Sequence, residues 1–449
     1  MNPPARFDEA WTKAIDHAER AVGSGCDVVL VRDLMGRVSV IVDDRTAATS
    51  EQTAFLASLR EEFVRDTHPF TGLDPVQLAS EMFAPEILLD SPDIAIRSEA
   101  DPESNTGRLG LLDRTVVGAD WLRTPQVENP NVRQRVALYG FKGGVGRSTA
   151  TTVLARRLAD LGRCVLVVDL DLESPGVSAL LEDPAGLPDH GIVDHLVEDA
   201  VGNADDLELI CRSSVLPMSG NGEVWLASAG GRPREGYDFL AKLNRIYSDL
   251  PPATPGGEPR PFARRLDAAI SACEQQVAKK SRQPDIVLLD SRAGVHDIAA
   301  VTLTQLCQMA LLFAVDNPAT WHGYGMLVNQ WNQRPDQARA LRERLRIVAA
   351  MLPQTDWEER LETVSSNALD VLSALYDDAA KGDRDAFNPS LQDEGAPHAA
   401  IPIFFSNELV SLDPASNRDW IDLPLIKSAY ELFLEKVERI IPDPLPESR

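Results

Sequence analysis

The 449-residue sequence predicts an α/β fold, a mostly parallel and doubly wound sheet built behind a glycine-rich phosphate loop, with an additional N-terminal α+β module. Three observations carry this expectation. An apolar run, Val136 to Tyr139, leads into a loop containing Gly143, Gly144 and Gly146, and helical patterning follows from Ala150 to Leu161. Two further apolar runs end in Asp169 and Asp290, as buried parallel strands do when they deliver carboxylates to one edge of a sheet. The first of these strands begins only near residue 134, and a chain this long has room for a separate domain in front of it.

In the leading module, Phe7 to Val22 has helical spacing, Asp27 to Val31 and Val38 to Asp43 read as strands around the turn at Asp33 to Gly36, and Gln52 to Val64 returns to helix. Residues 1–90 are assigned to this module. Residues 91–133 are polar and broken by Pro125 and Pro130, and read as a linking or docking segment in which Trp121 is an aromatic anchor. Residues 134–449 form the phosphate-loop domain. Within it, Tyr237 to Asp249 and Phe262 to Lys280 read as helices of an insertion around 237–280, joined by the proline-rich stretch Pro251 to Pro261. Lys381 to Pro397 reads as another polar loop. Leu423 to Ile441, with Leu425, Ala429, Leu432, Phe433 and Val437 near helical spacing, reads as a closing core helix.

The loop itself runs Lys142, Gly143, Gly144, Val145, Gly146, Arg147, Ser148, Thr149. Its glycines let the backbone fold around an oxyanion and aim successive N–H groups at it, and the following helix adds its positive N-terminal end. Ser148, in the first helical turn, stands where a hydroxyl can ligate a Mg2+ shared with phosphate oxygens. The usual pattern has a glycine where this chain has Lys142 and a lysine where it has Arg147. Arginine is larger, planar and forked, so the exchange preserves a grip on phosphate while changing its geometry.

A lysine just before the glycine pair marks the deviant Walker A loop, and by this feature the chain resembles the MinD/ParA family of P-loop ATPases. The segment Asp169-Leu170-Asp171-Leu172-Glu173-Ser174-Pro175-Gly176 is similar to the family's D-x-D switch, and Asp285 to Asp290 to its Walker B strand. Ser291 to Gly294 is then a variant of the switch that follows. Looser echoes are Gly191 to Leu196, Val224 to Gly231, the strand Ala310 to Asp316 and Ile401-Pro402, so the resemblance covers roughly residues 134–441. It implies ATP as ligand, bound by residues 143–149. It also implies Lys142 reaching across a nucleotide-sandwich homodimer, Asp171 positioning the attacking water, and Mg2+ held by Ser148, Asp169 and Asp290. Catalytic roles therefore fall to Lys142, Arg147 and Asp171. The family's adenine-contacting asparagine is missing, since Leu345 to Pro353 runs LRIVAAMLP; Asn317 and Asn407 are substitutes by residue type alone. Similar KGGVGR loops paired with D-L-D-L-E-x-P-G occur in a branch found in multidomain prokaryotic proteins, some with suspected roles in conflict or defence.

Composition narrows the partners. With 44 Lys and Arg against 69 Asp and Glu the net charge is −25, and nonspecific DNA binding needs clustered cations that displace counterions. Arg339, Arg342 and Arg346 share one helical face, but Glu343 and neighbouring Asp336 dilute it, so it reads as a solvated face. The closing helix has a mixed polar face rather than the basic one that binds membrane surfaces. Five scattered cysteines form neither a disulfide frame nor metal-binding spacing, and no run is long enough to span a bilayer, so a cytoplasmic location is expected. The spacing of a dinucleotide dehydrogenase and the tyrosine-rich tail of a bacterial tyrosine kinase are both missing.

Two functions follow from this reading. One is a Mg2+-dependent ATPase that dimerises with ATP and uses hydrolysis to control an unidentified protein partner. The other is a sensor or scaffold that holds ATP with little or no turnover.

Overall fold

The computed structural model describes residues 4–45, 50–91, 93–101, 104–114, 119–121, 134–216, 220–251, 259–332, 334–377, 386–410 and 419–441. Contacts divide the chain into two compact units, residues 1–119 and 120–449.

The first unit contains α1 (Phe7–Gly23), β1 (Val28–Arg32), β2 (Val38–Val42), α2 (Ser50–Thr67), β3 (Thr71–Leu78), α3 (Glu86–Leu89), β4 (Ala95–Ser98) and β5 (Leu109–Asp113). Its sheet has the order β3-β2-β1-β5-β4, with β1 antiparallel to β2 and parallel to β5. Alternation along β1 explains the two-sided core. Val28 and Leu30 pack with Ala14, Ala18 and Phe63 of the helices, while Val29 and Val31 face Ile41, Leu89 and Leu112. Strands β4 and β5 lie within the segment read above as linking. The apolar Leu109 to Leu112 supplies a partner for the central β1 in the register Val28 opposite Leu109, which composition averaged over a polar stretch concealed.

The second unit is a sheet of eight strands: β6 (Arg135–Gly140), β7 (Cys164–Leu170), β8 (Ile210–Arg212), β9 (Glu223–Ala227), β10 (Ile286–Ser291), β11 (Met309–Ala314), β12 (Leu345–Leu352) and β13 (Ile401–Phe404). Their order is β13-β12-β11-β6-β10-β7-β9-β8, and all pairs are parallel except β8 with β9. The order reverses around β6, which is the topological position where doubly wound sheets place ligands.

The helices are α4 (Arg147–Asp160), α5 (Val177–Leu181), α6 (Ile192–Asp199), α7 (Phe239–Leu243), α8 (Phe262–Lys280), α9 (Asp297–Val301), α10 (Pro318–Asn332), α11 (Pro335–Arg342), α12 (Trp357–Leu372), α13 (Asn407–Val410) and α14 (Pro424–Ile440). Val136 and Leu138 of β6 face the layer containing α4 and α14, whereas Ala137 and Tyr139 face the layer containing α6, α8, α10 and α12. This two-sided burial is why the central strands read as unbroken apolar runs. Trp121 is buried in the second layer, 6.0 Å from Trp331 and 6.2 Å from Tyr139 between ring centroids.

Two further expectations change. The helix expected over Tyr237 to Asp249 is limited to α7, because the carbonyls of Ile246 and Ser248 bond the buried Arg265 guanidinium instead of continuing a helical ladder. The arginine face breaks as well. α11 ends at Arg342, and Arg346 lies in β12, where Leu345 to Ala349 pair with β11 and commit the segment to strand. Arg342 pairs with Asp377 and Arg339 with Asp336. Residues 252–258, 378–385 and 442–449, covering most of the proline-rich loop, part of the second polar loop and the tail, lie outside the described residues, as do Pro125 and Pro130.

Candidate phosphate-binding site

β6 delivers the chain to the carboxyl edge of the sheet, and the loop turns there into α4. Gly144 and Gly146 have φ of +75° and +80°, a region L side chains rarely adopt. A Cβ added at Gly143 or Gly144 would meet nothing within 4 Å, so the loop is open at both positions. Val145 is buried and anchors the loop, while Lys142 is exposed and has no partner among the described residues. Thr149 is half-buried in the first turn of α4.

Arg147 turns inward. Its Nε donates to Asp290 Oδ1 at 2.8 Å and its Nη2 to Asp171 Oδ2 at 2.9 Å. The side chain is 8% exposed, and Asp290 is fully buried. Burial opposes the guanidinium's charge, but Asp290 and Asp171 outweigh it and hold Arg147 above its ordinary range. The structure therefore brings Arg147, Asp171 and Asp290 together and leaves Lys142 apart.

Ser148 donates its hydroxyl proton to Asp290 Oδ2 at 2.7 Å, which leaves its oxygen lone pairs available for a cation. Thr151, one turn along α4, donates to Asp290 Oδ1 at 3.3 Å. Asp169 stands beside Asp290 in the paired strands, with both oxygens occupied. Its Oδ1 accepts the Asp171 N–H at 3.2 Å, and its Oδ2 accepts the Ser178 hydroxyl at 2.7 Å and the Ser178 N–H at 3.0 Å. Burial, reinforced by the neighbouring Asp290, pushes the Asp169 carboxyl up to about 7. These bonds give Asp169 the work of bracing the turn after β7. Gly176 lets that turn close on the loop, since a Cβ there would sit 3.0 Å from Ser148 Oγ.

Three carboxylates against one guanidinium, beside a hydroxyl with free lone pairs, suit a divalent cation completed by substrate phosphate oxygens. Among the described residues, no group of three or more His, Cys, Asp and Glu is arranged to hold a metal on its own. Asn317 is engaged as a helix cap, its Oδ1 accepting the Thr320 N–H at 2.9 Å, and Asn407 is exposed at the start of α13.

Sequence reading missed a second cluster at the same edge. Glu173 accepts the Tyr247 hydroxyl and pairs with Arg292 and with His296, the last at 3.3 Å. The acidic residue is visible in the motif, but its partners come from remote segments. Asp194 of the Gly191 to Leu196 segment is also structural, accepting the N–H of Gly191 at 2.7 Å and of Gly231 at 3.0 Å, the Tyr237 hydroxyl and the Lys242 ammonium.

The CobQ/CobB/MinD/ParA nucleotide binding domain family matches residues 136–351. A cytosolic Fe-S cluster assembly factor, CFD1 of Chaetomium globosum, is 32% identical over 135 residues, covering 27% of this chain and 43% of the relative. The ATPase get3 of Neurospora crassa is 24% identical over 172 residues, covering 38% of this chain and 43% of the relative. This chain thus spans less than half the length of either. The MinC:MinD cell division complex of Aquifex aeolicus superposes with a TM-score of 0.41 at 15% identity, covering 70% of this chain and 99% of that one. Among the described residues no helix is long and apolar enough to cross a membrane. Residues 136–351, which hold the loop, the paired strands and their carboxylates, thus match the CobQ/CobB/MinD/ParA nucleotide-binding domain, and over that span the chain is similar to the MinD/ParA-like P-loop proteins.

Proposed function

We propose that the chain is an ATP-driven switch that dimerises with bound ATP and hydrolyses it to control a partner protein. The observation that supports this reading best is the open glycine curve at the start of α4, flanked by Ser148 and by a guanidinium already bridging Asp171 and Asp290. Loop N–H groups and the N-terminal end of α4 bind the phosphate chain. Ser148 and Asp290, with Asp169 behind them, would hold Mg2+, whose chemistry is to neutralise charge on phosphate oxygens. Arg147 exchanges a carboxylate for a phosphate oxygen. Asp171, released from Arg147, orients the water whose oxygen bonds to the γ-phosphorus as the bond to the leaving ADP oxygen breaks. Lys142, exposed at the loop, supplies charge to the site of a second copy.

The inward fork of Arg147 favours one further reading. Turning its Nη2 to phosphate breaks a salt bridge to Asp171 in a largely buried site while Nε stays on Asp290, so ATP can be held with slow turnover, as in a sensor. Phosphate release measured across protein concentration separates the two. A rate per protomer that climbs with concentration and collapses in Lys142→Ala and Asp171→Ala supports the dimerising ATPase. Tight ATP binding without release at any concentration supports the sensor, and no binding rejects both.

A further inference from the structure

The loop that carries Asp171 is joined to the insertion around 237–280 by one side chain. Glu173, two residues beyond Asp171, accepts the hydroxyl of Tyr247. The same carboxylate pairs with Arg292, which follows Asp290 at the end of β10, and with His296 Nε2 at 3.3 Å. His296 caps α9 by accepting the Ile298 N–H on Nδ1 at 3.4 Å, which places its proton on Nε2, facing Glu173. Two otherwise separate segments, the β10–α9 turn and the stretch carrying Tyr247, therefore converge on Glu173.

Tyr247 is firmly held on its far side. The buried Arg265 of α8 donates to the carbonyls on either side of it, Ile246 and Ser248, both at 2.8 Å, and to the Leu196 carbonyl at 2.6 Å. The Tyr247 ring packs 5.2 Å from His296 and 5.7 Å from Phe262 between centroids. A displacement of Tyr247 is thus passed to α8 through bonded and packed groups.

We infer that Glu173 is a positioning residue that ties the Asp171 loop to Tyr247, making the insertion the element that responds to the nucleotide state of the site. The inference rests on the ATP reading above. When Arg147 leaves Asp171 for phosphate, the turn from Asp171 to Gly176 loses the salt bridge that ties it to the loop, while its brace on Asp169 remains, and Glu173 shifts with the freed end of the turn. Tyr247 either follows or loses its acceptor, and α8 registers either event.

Hydrogen exchange of the full chain, with and without ATP–Mg2+, tests this. Nucleotide should slow exchange in residues 141–149 and change it in 243–249 and 262–270. In Tyr247→Phe, which keeps the ring contacts, the loop response should remain while the response of the insertion falls by roughly tenfold, the scale of one hydrogen bond to a charged group. Glu173→Leu, which removes the acceptor itself, should give the same split from the other side of the bond. An insertion response of native size in both variants overturns the inference, as does a native insertion that ignores nucleotide while the loop responds. A loop that never responds overturns the ATP reading as well.

Discussion

Two buried arginines bracket the first strand and loop of the nucleotide-binding domain, and their surroundings differ in one respect. Arg135, at the amino end of β6, donates to Glu274 at 2.8 Å and to Asp267 and Ser271, all on α8, with its side chain fully buried. Arg147, at the carboxyl edge, bonds Asp171 and Asp290, but beside it lies the open curve of the glycine loop. The first arginine has no alternative partner. The second faces a place where phosphate oxygens can compete for it. Under the proposed function, equivalent ion-pair chemistry would serve as a fixed joint at one end of the strand and as an exchangeable one at the other, which is the division of labour expected between the two edges of a doubly wound sheet.

The comparison is broken most severely by Arg135→Met. Glu274, itself buried, would lose the Arg135 guanidinium that it bonds through both oxygens, costing about 3–5 kcal/mol of stability by denaturant unfolding. ATP affinity per folded molecule should stay native. Asp290→Asn should do the reverse, lowering phosphate release by roughly a hundredfold through loss of charge at the phosphate edge. Arg147→Met should cost only about 1–2 kcal/mol of stability, because Asp171 is partly exposed to water and the fully buried Asp290 keeps its bonds from Ser148 and Thr151. A cost equal to that of Arg135→Met would erase the distinction.

The smallest effect concerns a fixed site away from both arginines. Buried His398 accepts the Tyr376 hydroxyl on Nδ1 at 3.0 Å and donates from Nε2 to the Ser390 carbonyl at 3.1 Å. Burial holds its imidazole below the ordinary histidine range. The unfolded chain therefore binds a proton first as pH falls. The stability from neutral His398 is fully present above about 6.5 and is lost as pH drops through that value toward the folded one, by at most about 1.4 kcal/mol per pH unit. Unfolding of His398→Gln, compared with native at pH 7.5 and 5.5, should show a shallower acid loss. An unchanged slope would contradict this.

The sheet was legible because its strands advertise themselves twice, as apolar runs and as runs ending in Asp169 or Asp290 beside a glycine loop. The direction of Arg147 was not, since residue type specifies a fork but not which acids it will find. Glu173 and Tyr247 stand 74 positions apart, and no local periodicity reports a bond across that distance. Arg346 was misread because helical spacing can be counted through a residue that pairing with β11 places in a strand.

The exchange of Arg147 between carboxylate and phosphate is tested most directly by a crystal structure with a non-hydrolysable ATP analogue and Mg2+. The account predicts Arg147 Nη2 on a phosphate oxygen and no longer on Asp171. A bound analogue with Arg147 still bonded to both Asp171 and Asp290 would contradict it.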